Sequence, residues 1–119
     1  MDVEGHEVEI LDSMFHSISK NLYRPKILFE THQSRYLENH NLKKILKNYY
    51  KNGYIASIVG TSKISGSRLL QQKGYRKEVT IFSDGCERGI FYNIGFNDLN
   101  EMIHETGGIR SVLLEPINV

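Results

Sequence analysis

The chain has no tryptophan, one cysteine, two prolines and almost no net charge. Each shortage removes a class of protein. The lone Cys86 cannot form an internal disulfide, and it rules out a disulfide-stapled fold or a cysteine-based zinc site. A reducing, cytoplasmic compartment fits that usage. Lys plus Arg is 15 against 14 for Asp plus Glu, a formal net charge of +1, which offers no electrostatic footprint for nucleic acid. No basic-then-apolar leader opens the sequence and no apolar run approaches about 18 residues, so neither a signal peptide nor a membrane span is expected. What is present is a 119-residue chain, 39% hydrophobic and 24% charged, the balance of one soluble globular α/β domain spanning 1–119.

Periodicity divides the chain. From His6 to about Ser19, Val8, Ile10, Leu11, Met14, Phe15 and Ile18 recur at helical spacing. Asp2 to Gly5 reads as a turn, with Asp2 suited to an N-cap and Glu4, Glu7 and Glu9 near the positive end of the helix dipole. Pro25 blocks further helix, and Lys26-Ile27-Leu28-Phe29-Glu30 is a short apolar run that predicts a central parallel strand buried on both faces. Thr31 to Tyr36 follows as a polar loop. Leu37 to Asn52 carries Leu42, Ile45, Leu46, Tyr49 and Tyr50 at helical spacing, with Lys43, Lys44, Lys47 and Lys51 opposite as a solvated face, and Gly53 is a helix stop. Tyr54 to Gly60 predicts a strand, Ser67 to Lys73 a short helix, and Glu78 to Phe82 another strand. Ser83-Asp84-Gly85 is a turn that lets Gly89 to Ile94 pair back as a hairpin. A helix from Asn97-Asp98 to about Thr106 is stopped by Gly107-Gly108, and Arg110 to Glu115 is a last strand. Early alternation of strand and helix argues for a parallel core, with antiparallel strands added at one edge by the later hairpin.

Two stretches carry a resemblance. Asp2-Val3-Glu4-Gly5-His6-Glu7 opens a helix, and at a helix's distance comes Pro25-Lys26-Ile27-Leu28-Phe29-Glu30-Thr31-His32; a later helix ends near Gly53-Tyr54. In order and spacing these resemble the second half of FkbM-type, S-adenosylmethionine-dependent methyltransferases. The resemblance covers the first half of the chain well and the second half only in general plan. It implies part of a Rossmann-like methyltransferase fold, a mixed and mostly parallel sheet with helices packed on it and an antiparallel C-terminal edge. It implies S-adenosylmethionine as cofactor, and O-methylation of a small-molecule or sugar hydroxyl. The family's glycine-rich turn and the acidic residue that holds the cofactor ribose have no counterpart here. Gly60 to Gly66 is not a strand-GxGxxG-helix turn, nor a P-loop. The expectation is therefore a fragment that begins inside a fold and lacks its cofactor half.

Ligands of open α/β sheets lie beyond the carboxyl ends of the strands. Asp2 and Glu4 end one expected strand, Glu30 and His32 the next, so neighbouring strands would bring all four to one rim. Methyl transfer mainly needs the acceptor positioned and its proton taken. His32 is the natural general base, since its ordinary pKa is near neutrality. Glu4, Glu30 and Asp2 would orient it or the substrate. Each also has a plainer role: helix cap, dipole partner, strand-end carboxylate or solvated loop histidine. The same carboxylates and His32 would suit a divalent metal in a weaker, hydrolase reading. His6, His16, His40 and His104 read as surface, and Cys86 as a turn thiol. The alternative from another class is a non-enzymatic α/β module that binds a partner or its own copy, as a homodimer, through an exposed sheet edge.

Overall fold

The structure, a computed structural model, describes residues 7–19, 25–31, 42–83 and 85–117. Ten elements follow in order. They are α1 (Glu7–Ser19), β1 (Ile27–Glu30), α2 (Leu42–Lys51), β2 (Tyr54–Thr61), α3 (Ile64–Gln72), β3 (Lys77–Ser83), β4 (Cys86–Ile94), α4 (Phe96–Glu101), a π-helical turn (Met102–Thr106) and β5 (Ile109–Pro116). The expected turn at Asp2 to Gly5 and the first residues of the helix expected from Leu37 lie outside the described residues.

The five strands form one sheet in the order β1-β5-β2-β4-β3, and every neighbouring pair is antiparallel. This overturns the mostly parallel, Rossmann-like sheet expected from the sequence, and with it the methyltransferase fold that the resemblance implied. The physical reason is specific. β1 and β2 both run opposite to β5, so they run the same way, as a strand-helix-strand unit should. They do not pair, because the last strand inserts between them. Ile27 to Glu30 pair with Leu114 to Ser111 on one side of β5, and Tyr54 to Thr61 pair with Pro116 to Ile109 on the other. Alternation along the chain sets strand direction but leaves the choice of neighbour to distant residues. The expectation that β1 is central and buried on both faces is likewise corrected. Among the described residues β1 lies at the end of the strand order, with Phe29 fully buried and Leu28 57% exposed.

The helices cover one face. Leu11 of α1 and the stripe Leu42, Ile45, Leu46 and Tyr49 of α2 are buried, at the i, i+3, i+4, i+7 spacing that puts one helix face on a core. Lys43, Lys44, Lys47 and Lys51 lie exposed opposite. Against them pack Phe29, Ala56, Val59, Phe91, Ile94, Val112 and Leu114, in a single cluster with Leu70, Leu99 and Met102. Aromatic residues tie this side together. The Tyr49 hydroxyl donates to the Leu11 carbonyl at 2.7 Å, and its ring meets Phe15 and Tyr54 edge-on with centroids 5.3 and 5.2 Å away. The Tyr54 hydroxyl donates to the Pro25 carbonyl at 2.8 Å.

Close approach fixes α3. A Cβ on Gly66 would lie 2.3 Å from the Gly108 carbonyl oxygen, so only glycine lets the helix meet the Gly107-Gly108 turn. A buried hydroxyl pair, Thr61 Oγ1 and Ser67 Oγ at 2.8 Å, joins β2 to α3, and Thr61 Oγ1 accepts the Gly89 N–H at 2.9 Å.

Candidate functional site

The opposite face of the sheet carries no helix among the described residues. Its side chains make a shallow depression of about 540 Å³. The strand registers give it two ends. Leu28, Leu113 and Ile58 lie in one row across β1, β5 and β2 and form an apolar floor. Glu30, Ser111 and Gly60 lie in the next row toward the carboxyl ends of β1 and β2, with Ile90 beyond Gly60. Arg110, Arg88 and Ser83 complete this polar end, and Ile81 closes the β3 side.

Two local features build the depression. Gly60 supplies its hollow: between Ile90 and Ser111 there is no side chain to fill the row. A Cβ there would stand 3.6 Å from Ile90 Cδ1 and 3.7 Å from Ser111 Cβ, ordinary contact distances. The second feature is a register shift. Gly60 pairs with Ser111 but Thr61 pairs with Ile109, so Arg110 is one extra residue in β5. Such a bulge breaks the alternation and re-aims a side chain, and here the consecutive Arg110 and Ser111 both line the same hollow. The bulge is held by Thr31, whose N–H donates to the Arg110 carbonyl at 2.8 Å and whose hydroxyl donates to the Ile109 carbonyl at 2.6 Å. Arg110 Nε stands 3.8 Å from Glu30 Oε1, a half-exposed ion pair at the rim.

A second bulge, at Ser57, is sealed from the helix side. Ala56 pairs with Leu114 and Ile58 with Leu113, leaving Ser57 over; its hydroxyl donates to Glu115 Oε1 at 2.8 Å. Tyr50 reaches into the sheet there. Its hydroxyl accepts the Ala56 N–H at 3.1 Å and donates to the Ile94 carbonyl at 2.7 Å. Burial pushes the Tyr50 phenol up to about 12, against the opposing pull of the Ala56 N–H. Tyr75 does the same work at the start of α4, accepting the Gly95 N–H at 3.0 Å and donating to Asp98 Oδ2 at 2.6 Å. Burial and then the Asp98 carboxylate raise its pKa. Lys73 at the surface pairs with Glu101 and stands 3.7 Å from Asp98, and the hydrogen bond to Glu101 raises its pKa.

Of the four residues expected to form a site, Glu30 alone is placed, at the polar end of the depression. Asp2, Glu4 and His32 lie outside the described residues. His104, expected at the surface, is half-buried; its Nδ1 lies 3.1 Å from the Asn100 carbonyl, and it does not line the depression. Among the described residues there is no group of three or more His, Cys, Asp and Glu placed to hold a metal ion. The described residues do not fit S-adenosylmethionine either. The glycine-bearing corner from β2 to α3, Gly60 to Gly66, is closed by the Thr61–Ser67 hydroxyl pair and by the contact of Gly66 with Gly108. Arg110, Arg88 and Ser111 were not singled out from the sequence. Gly60 did carry a signal, because a glycine inside a strand marks a bulge or a close approach.

Compared with known proteins, the chain matches no family model, no curated protein and no solved structure. Nothing in these comparisons identifies a methyltransferase fragment. No helix among the described residues is long and apolar enough to cross a membrane.

Proposed function

We propose that the protein is a binding module whose open sheet face holds a small amphipathic molecule, its apolar body on Leu28, Leu113 and Ile58 and its hydroxyl-bearing head among Glu30, Arg110, Ser111 and Ser83. The observation that carries this reading is the two-ended depression. Its 540 Å³ is within the range of small-molecule sites, about 300–1,000 Å³, and such sites pair an apolar lining with a few convergent polar groups. The head is assigned by the mixture at the rim. A carboxylate accepts, a guanidinium donates and the serine hydroxyls do both, which suits a neutral group that donates and accepts in turn, such as a sugar hydroxyl. The test is calorimetry with octyl glucoside below its micellar concentration, against glucose alone. Saturable binding of the glycoside, weak or no binding of glucose, and loss of binding in Gly60→Leu is the expected result. Equal heats from Gly60→Leu and the unaltered chain would remove the site from this face.

A further inference from the structure

We propose that β3 is a self-association edge, along which two copies of this chain pair antiparallel about a two-fold axis at Thr80. β3 ends the strand order, and its inner side is paired with β4 from Lys77 to Ser83. Among the described residues, no strand pairs with its outer side. An edge strand presents main-chain N–H and C=O groups that only another extended strand can satisfy in register. Edges are ordinarily blunted by shortness, proline, charge or a bulge. β1, at the other end of the strand order among the described residues, is shorter: it has 4 residues, and Pro25 and Lys26 precede it. β3 has 7 residues, KEVTIFS, with no proline; its charges, Lys77 and Glu78, and its register shift against β4 are confined to its first two residues, and Val79 to Ser83 is regular and uncharged. It exposes apolar side chains on both faces. Val79 and Ile81 are 44% and 40% exposed on the depression side, and Phe82 is 77% exposed on the other.

The pattern about Thr80 selects a second copy as the occupant. Val79-Thr80-Ile81 reads as β-branched in either direction, so antiparallel pairing about Thr80 sets Val79 against Ile81 of the other copy, twice. The regular register ends at the shift beside Glu78, where Phe82 and Ser83 of the other copy come near Glu78 and Lys77, so no like charges meet. A parallel pair would set Lys77 against Lys77 and Glu78 against Glu78, which is destabilising. A symmetric contact of this kind is self-limiting, because each copy uses the edge once and the assembly closes at two. The two open faces then lie on one side of a continuous sheet.

Sedimentation velocity over a wide concentration range tests the pairing. The unaltered chain is expected to shift from monomer to dimer. Thr80→Lys places two ammonium groups on the axis and should weaken the dimer by about tenfold or more, the ratio that about 1.4 kcal/mol produces; Thr80→Glu should do the same. Thr80 is exposed and outside the depression, so circular dichroism should be unchanged in both. An equimolar mixture of Thr80→Lys and Thr80→Glu should recover the dimer, because only there do opposite charges meet across the axis. If Thr80→Lys does not fold, Phe82→Glu, which sets a carboxylate beside Glu78 of the other copy, serves in its place for the weakening arm. A chain that stays monomeric throughout would overturn the proposal. So would a dimer indifferent to both Thr80 variants, or a mixture that stays as weak as its components.

Discussion

The two faces of this sheet are made from the same strands, often from adjacent residues, and they follow different rules. On the helix side, Phe91 is fully buried, and glycines 66 and 89 stand where a methyl group would collide with Gly108 or with Ser67. On the open side, Tyr92 is 47% exposed, and Gly60 has room for a methyl group. One face is packed to the density of an interior, where a single methylene is felt. The other has its shape but, among the described residues, no covering layer. Volume changes should therefore act on stability from one side and on binding from the other.

The largest contrast expected is between neighbours. Phe91→Ala should cost about 3–5 kcal/mol of unfolding free energy, as deletion of a buried aromatic does, while Tyr92→Ala should cost less than about 1 kcal/mol. Urea unfolding of both variants measures this, and similar midpoints would mean that the open face is packed after all. Next, Gly66→Ala should lose about 3 kcal/mol, because the added methyl meets a backbone carbonyl that cannot turn aside. Its thermal midpoint, compared with that of Gly60→Ala, separates a glycine required by contact from one that keeps a space open.

Tyr50→Phe comes third, at about 1–3 kcal/mol, since it strips the hydroxyl from a buried N–H and a buried carbonyl at the Ser57 bulge. The same hydroxyl gives a pH signature. Its folded pKa of about 12 is above the ordinary value of 10.0, so the fold favours the protonated phenol. That contribution is fully present below the unfolded pKa and is lost as pH rises through the folded one. The unaltered chain should lose stability across that alkaline window, and Tyr50→Phe should lose less over the same interval. The smallest expected effect is that of Gly60→Ala, within about 0.5 kcal/mol in stability, since its Cβ meets Ile90 and Ser111 at ordinary distances. A larger loss would show the hollow to be more tightly framed than those distances say.

Much of the local structure was legible in the residues. Leu42, Ile45, Leu46 and Tyr49 predict the buried stripe of α2 that the structure shows, and Ser83-Asp84-Gly85 predicts that the flanking strands pair back as a hairpin, as β3 and β4 do with Ser83 opposite Cys86 and Gly85 at φ 74°. Gly53, at φ 86°, ends α2 where a left-handed glycine was expected. α3 was harder to place. Lys63 precedes it with no side-chain cap, and buried Gly66 and Ser67 give its inner face little hydrophobic signal. The site was less legible still. Glu30 was singled out for its place at a strand end, and it does line the depression. Arg110 was passed over, because its direction depends on a bulge that appears only when β5 is registered against β2.

The sequence by itself determined the segments, their type and the common direction of β1 and β2, because periodicity and turn residues act over a few neighbouring positions. Only the tertiary structure decided that β5 inserts between those two strands, that all the described helices gather on one face, and that Arg110 and Ser111 line one hollow. Those outcomes rest on pairing and packing between residues far apart in the chain, such as Gly60 with Ser111 and Ile27 with Leu114, whose fit no local pattern records.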